Sequence, residues 1–125
     1  MAGTLGTALV ISGPSGAGKT TVYRQLLRSR PEVRFSVSCT TREPRSGETD
    51  GHDYYFLSRK EFERRVERGE FLEHAEVDDN LYGTLFAEVT SRVNDGVDVL
   101  LDIDVQGARQ VRRQIVGTLL AQNTV

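Results

Sequence analysis

The stretch Ile11–Thr21, ISGPSGAGKTT, decides the architecture. Within it Gly13, Pro14, Ser15, Gly16, Ala17, Gly18, Lys19 and Thr20 satisfy the pattern G-x-x-x-x-G-K-[ST], and Thr21 follows. Glycines at these positions let successive backbone N–H groups turn inward around an anion. A helix that follows adds the positive end of its dipole. Lys19 is placed to reach the β- and γ-phosphates of a nucleoside triphosphate, and the Thr20 hydroxyl to ligate Mg²⁺. Such a loop needs a buried strand before it and a helix after it. Thr7–Ser12 (TALVIS) is an apolar run ending in the glycine turn. From Gly18 onward Val22 and Leu26 lie at helical spacing, and Pro31 stands past the helix end. Both flanks are legible, so the sequence predicts a triphosphate site but is silent about the acceptor.

Working outward, Phe35–Cys39 alternates apolar and polar residues and reads as one strand, and Tyr54–Leu57 as another, with a Gly-, Pro- and charge-rich loop between them. Ser58 opens a helix: Ser58 and Glu61 form a capping box, Leu57 and Phe62 its hydrophobic staple, Val66 joins the buried side, and Gly69 stops it. EFLEHAEV and NLYGTL read as strands around a turn at Asp78–Asp79–Asn80. Phe86, Val89 and Val93 recur at helical spacing until NDG. Val97–Asp104 is an apolar strand ending in carboxylates, Gln106–Arg113 a helix, and the tail from Ile115 a further strand. The order predicts an α/β fold in a single domain over 1–125: a parallel-sheet core (1–34 and 90–125) with an inserted mixed α/β lobe (35–89).

Composition excludes several classes. Net charge is −2, so the chain as a whole exerts no pull on nucleic acid or an anionic membrane. The segment assigned to the lobe is itself acidic. Only two of the sixteen Lys and Arg residues are Lys, yet one of them, Lys19, stands in the glycine-rich loop. A compact ammonium fits among phosphates where a planar fork does not. The single cysteine, Cys39, rules out an internal disulfide framework and fits a reducing cytosol. With no basic leader region and no long apolar run, the expectation is a soluble cytoplasmic protein.

Other residues offer partners for the loop. Asp102 and Asp104 share one face at the end of a strand, where a second metal-organising carboxylate belongs; ordinary solvated aspartates look the same. Arg42 and Arg45 form either a fork around a phosphate or a solvated turn. Tyr54 and Tyr82 present hydroxyls that reach a phosphate, or else sit in water on half-buried rings. Glu73 is an acceptor-only carboxylate in an apolar strand, facing either the surface or the edge of a base. Thr84 can serve as a helix cap. His52 and His74 lack metal-ligand spacing.

Taken together, ISGPSGAGKTT, FSVSCTTREPRSGETDGHDYYF, GEFLEHAEVDDNLYGT and LLDIDVQGARQVR resemble the guanylate kinase family, from about Leu9 to Arg113. The resemblance implies transfer of the γ-phosphoryl of ATP to GMP with Mg²⁺. It makes 35–89 the GMP-binding lobe, with Ser38, Arg42, Arg45, Tyr54 and Tyr82 binding GMP, the Arg and Tyr residues at its phosphate. Glu73, with Ser38 and Thr84, falls at the guanine-reading positions. Asp102 and Asp104 fall near the phosphates, metal and ribose. Lys19, Arg42 and Arg45 are the catalytic candidates, Gly13–Thr21 the ATP phosphate loop, and Thr20 and Asp102 the metal ligands.

Relatives of this kind continue into an Arg-bearing lid and further core elements, which the resemblance leaves absent here. The expectation is therefore phosphate and GMP affinity with weak turnover by these 125 residues alone, and self-association through an open core edge. Two rivals stand beside this reading: a non-catalytic guanylate-kinase-like module that binds phosphopeptides, and a P-loop kinase for another monophosphate. Robust GMP-dependent ADP production by the purified chain would contradict the expected weak turnover.

Overall fold

In the computed structural model, residues 4–12, 18–103 and 106–113 are described. Two sheets divide the work. The first contains β1 (Ala8–Ser12), β2 (Arg34–Phe35) and β7 (Val99–Ile103), in the order β1-β7-β2. Both outer strands run parallel to β7, with Ile11 opposite Asp102 and Ser12 opposite Ile103. The central strand is buried on both faces: Val99, Leu100 and Leu101 are at most 1% exposed, which is why it reads as a continuous apolar run. The expected strands at 7–12 and 97–104 are thus present, each beginning one or two residues later than expected, with Asp104 outside the described residues. The strand expected from Ile115 lies outside the described residues.

Helix α1 (Lys19–Ser29) starts at Gly18, whose φ of 82° suits a residue without a Cβ. Its inward contact is made by Tyr23, whose ring lies 5.2 Å from that of Phe35 on β2. Val22, expected on the buried side, is 55% exposed, while Tyr23, Leu26 and Leu27 are half-buried.

The second sheet has the order β4-β3-β6-β5, built from β3 (Cys39–Thr40), β4 (Tyr55–Phe56), β5 (Phe71–Val77) and β6 (Asn80–Leu85). Phe35–Cys39 is therefore not one strand. Phe35 pairs with Leu100 in the first sheet and Cys39 with Gly83 in the second, so 36–38 is the crossing between sheets. Alternation of side chains looks the same in both halves, whereas the change of partner is imposed by strands distant in sequence.

Helix α2 (Arg59–Glu67) packs on one face of the second sheet. The Glu61 N–H donates to Ser58 Oγ at 3.1 Å, a cap that contributes about 1 kcal/mol. The Glu61 carboxylate pairs with Arg64 and Arg65, so the expected capping box forms through its Ser58 half. Phe62, fully buried, stacks on Phe71 with centroids 4.4 Å apart, and Leu57 packs on the same cluster with Cys39. Gly69, at φ 70°, ends the helix as expected.

A β-bulge lies between Phe71 and Glu73, because Phe71 pairs with Leu85 and Glu73 with its neighbour Thr84. Phe71 thus joins the α2 cluster, while Leu72 joins the separate core of Val89, Val99, Leu101, Ile103 and Val111. Helix α3 (Phe86–Asn94) and the helix at 106–113 (α4) supply Val89 and Val111 to that core. No helix among the described residues is long and apolar enough to cross a membrane.

The β5–β6 hairpin turns on Asp78 and Asp79, both left-handed (φ 49° and 68°), between the paired Val77 and Asn80. Two positive φ values in a two-residue loop define a type I′ turn, where glycine is favoured at the second position. Asp79 gives Arg59 only its backbone carbonyl, at 3.0 Å, which glycine would retain. Asp79→Gly is expected to raise stability by about 0.5–1 kcal/mol in urea unfolding; a loss of stability would contradict the turn assignment.

Candidate functional site

The cleft-facing side of the second sheet carries a carboxylate that burial makes unusual. Glu73 is only 7% exposed and accepts a hydrogen bond from the Thr84 hydroxyl at 2.8 Å. Of the two orientations open to Glu73 in the sequence, the structure takes the inward one. Thr84 is buried beside it, and α3 has Leu85 at its N-cap with no side-chain cap, so Thr84 is not the helix cap. The bulge brings this about: it turns Glu73 to the face opposite Phe71, alongside Ala75 and Tyr82. Gly83 must be small here, since a Cβ would come 2.8 Å from the Glu73 carbonyl and from the Phe71 ring.

Glu73 forms one wall of a cavity of about 230 Å³, whose lining includes Ser38, Tyr54, Tyr82 and Asp102. An adjoining cleft of about 640 Å³ shares Ser38, Tyr54 and Asp102 and extends toward α1 and the loop after Glu48. Asp102, at the C-terminal end of β7, therefore faces both spaces. Its pairing with Ile11 sets it beside the strand that leads into Gly13.

The second charged group is Arg42. Its guanidinium makes two bonds to the Glu48 carboxylate, each 3.0 Å, and one to the Glu43 carbonyl, also 3.0 Å. It lies 5.2 Å from the Tyr54 ring centroid, and the Tyr54 and Tyr82 rings meet edge-on at 6.1 Å. The Glu48 bond, with smaller contributions from the Tyr82 and Tyr54 hydroxyls, holds the Arg42 pKa above its ordinary value. The same pair lowers the Glu48 pKa, chiefly through Arg42 and then through the Arg45 backbone. A depressed folded pKa means that this contribution is complete above the ordinary carboxylate range and is lost as pH falls through the folded value. Glu48 also accepts the Arg45 N–H at 2.8 Å, while the Arg45 side chain is exposed. Arg42 and Arg45 are thus organised by one carboxylate. Glu48 was missed in the sequence, although its position in the same charged loop was a usable signal.

Glu88 was missed as well. From the first turn of α3 it accepts the Val37 N–H at 3.0 Å, the Tyr55 hydroxyl at 3.2 Å and an Arg92 N–H at 2.9 Å. It therefore holds the backbone next to Ser38 and the ring next to Tyr54. Burial first, and Glu88 second, push the Tyr55 hydroxyl pKa up. Burial likewise pushes the Cys39 thiol to about 12, an inert thiol at neutral pH. His52 and His74 are exposed, and no metal-holding cluster of His, Cys, Asp and Glu occurs among the described residues.

The structure thus brings together Ser38, Arg42, Tyr54, Glu73, Tyr82, Thr84 and Asp102 around the cleft, with the Arg45 backbone at its rim. Gly13, Pro14, Ser15, Gly16, Ala17 and Asp104 lie outside the described residues, as do the side chains of Lys19 and Thr20; Thr21 is an exposed residue of α1.

A parallel-sheet core and a mixed sheet, with helices and a cleft lined by residues of both, define an α/β protein. A family model described as guanylate kinase matches residues 6–120. A guanylate kinase of Thermotoga maritima is 54% identical over 114 residues, covering 91% of this chain and 55% of the relative. One of Symbiobacterium thermophilum is 56% identical over 109 residues, covering 87% and 52%. The crystal structure of guanylate kinase from Anaplasma phagocytophilum superposes with a TM-score of 0.72 at 42% identity, covering 90% of this chain and 55% of that one. The chain belongs to the guanylate kinase family. It spans about half the length of the curated relatives it matches.

If Glu48 sets the Arg42 guanidinium for a monophosphate, the role proposed below, Glu48→Ala is expected to weaken binding of GMP as a probe several-fold and to leave that of guanosine unchanged in calorimetric titration. Equal loss for both ligands would instead make Glu48 a general support of the loop.

Proposed function

We propose that the protein transfers the γ-phosphoryl group of ATP to GMP, giving ADP and GDP, and that this chain carries the GMP site and the ATP phosphate loop. The observation that carries this reading is the buried Glu73–Thr84 pair in a cavity shared with Tyr54 and Tyr82. Guanine presents N1–H and its 2-amino group side by side, two donors that one carboxylate accepts together. The Thr84 hydroxyl occupies part of one Glu73 oxygen and fixes the carboxylate for the base, with Ser38 beside it. Adenine has no such donor pair and would set its bare N1 acceptor against the carboxylate.

The monophosphate falls to Arg42, Arg45, Tyr54 and Tyr82, with Glu48 holding Arg42 in a fixed fork until the phosphate arrives. At the other end, Gly13–Thr21 and Lys19 cradle the ATP phosphates. An oxygen of the GMP phosphate then attacks the γ-phosphorus as the bond to the β–γ bridging oxygen breaks. The task of the protein is alignment of the two phosphates and neutralisation of charge.

Mg²⁺ fits the donors present. Asp102 and the Thr20 hydroxyl are hard oxygen ligands, and the Asp102–Ile11 pairing puts that carboxylate beside the strand entering the loop. Mg²⁺ needs only one or two carboxylates, since phosphates and water complete its shell. When bound it supplies positive charge at the β- and γ-phosphates; Asp104 is assigned to the ribose side of GMP. The free, buried Cys39 suits a reducing compartment, and we assign the cytoplasm.

Titration with GMP, AMP and dTMP, coupled to an ADP-release assay on this chain and on a longer version, tests the reading. GMP is expected to bind best, and Glu73→Gln to weaken GMP by about 10- to 100-fold with little effect on AMP. AMP outcompeting GMP, or indifference to Glu73→Gln, would contradict it.

A further inference from the structure

Glu73 lies on β5, the outermost strand of its sheet among the described residues, where one side of the backbone has no neighbouring strand among them. One side chain substitutes for that strand. The Gln110 amide oxygen accepts the His74 N–H at 3.1 Å, and the Gln110 amide nitrogen donates to the His74 carbonyl at 2.9 Å. Both backbone bonds are made to the residue directly after Glu73. Gln110 belongs to α4, which follows β7 and so begins just beyond the Asp102–Asp104 segment. Helix α4 is itself anchored by Val111, buried with Leu72 in one core cluster, against which Ala108 also packs. On β5 the residues flanking Glu73 are therefore both tied to the core, Leu72 by packing and His74 by the Gln110 amide.

That arrangement matters because the bulge leaves Leu72, the residue directly before Glu73, without a partner on β6. Bulged strand segments bend, and a carboxylate that must meet two donors tolerates little displacement. We propose that Gln110 is a specificity-determining positioning residue: its amide clamps the strand edge at His74 and thereby aims the Glu73 carboxylate at the purine 2-amino and N1–H groups. This rests on the guanine reading of Glu73 given above. It also links the base-reading wall to the helix that follows β7 and its Asp102. No sequence signal marks it, since a polar residue on a short helix reads as solvated.

The test uses GMP and IMP, whose base lacks only the 2-amino group. Gln110→Met keeps the length and bulk of the side chain while removing both hydrogen bonds; Gln110→Ala removes the packing too. Affinities are measured by calorimetry for the unaltered chain, both variants and Glu73→Gln. The His74 amide exchange rate is followed by NMR. Gln110→Met is expected to speed His74 exchange and to lower the preference for GMP over IMP by about fivefold or more. Unchanged exchange, an unchanged preference, or equal weakening of both nucleotides would overturn the proposal. Glu73→Gln separates the two levels. If the unaltered chain shows no preference, or Glu73→Gln retains it, the guanine reading falls and this inference with it. If Glu73→Gln abolishes the preference and Gln110→Met does not alter it, only the clamp falls.

Discussion

Everything in the cleft depends on the bulge at Leu72, which sends three consecutive side chains to three destinations. Phe71 packs under α2, Leu72 enters the core around Val99 and Leu101, and Glu73 turns into the cavity beside Thr84. A regular strand could bury only alternate residues on a given face. Here the extra residue lets one short segment hold the second sheet together, fasten it to the first sheet and supply a buried carboxylate. The Thr84 hydroxyl supplies a hydrogen bond of the kind that a buried carboxyl group needs.

Charge in the cleft is arranged by hydrogen bonds between its own side chains and their neighbours. Glu48 holds Arg42 in a two-pronged pair, Glu88 ties the crossing at Val37 to α3, and the Thr84 hydroxyl fixes Glu73. Each of these bonds limits the conformations of a group that must otherwise be ordered when ligand binds, and so reduces the entropy lost on binding. The crossing at 36–38 is the point where the two sheets meet, and its Ser38 faces both cavities.

Much of this was legible in the sequence, for identifiable reasons. The helix at Ser58, the turn at Asp78–Asp79 and the apolar strand through Val99–Leu101 rest on local chemistry, and each is found where expected. Failures occurred where distant partners decide. Phe35–Cys39 read as one strand because alternation does not reveal a change of sheet. Of the two readings open to Thr84, a helix cap or a partner of Glu73, the sequence could not choose, because the bond to Glu73 depends on hairpin register. Val22 fell on the wrong side of α1 because Tyr23 reaches Phe35 on a strand that follows the helix. Glu88 and Gln110 were invisible, since an isolated polar residue in a sequence carries no record of which backbone it will meet.

The central claim is that the buried Glu73 carboxylate accepts both donor groups of guanine. Proton NMR of isotope-labelled GMP bound to the chain tests this most directly. The account predicts a guanine imino proton shifted downfield and protected from exchange, with both effects lost in Glu73→Gln. An imino proton that exchanges as fast in the complex as in free GMP would contradict it.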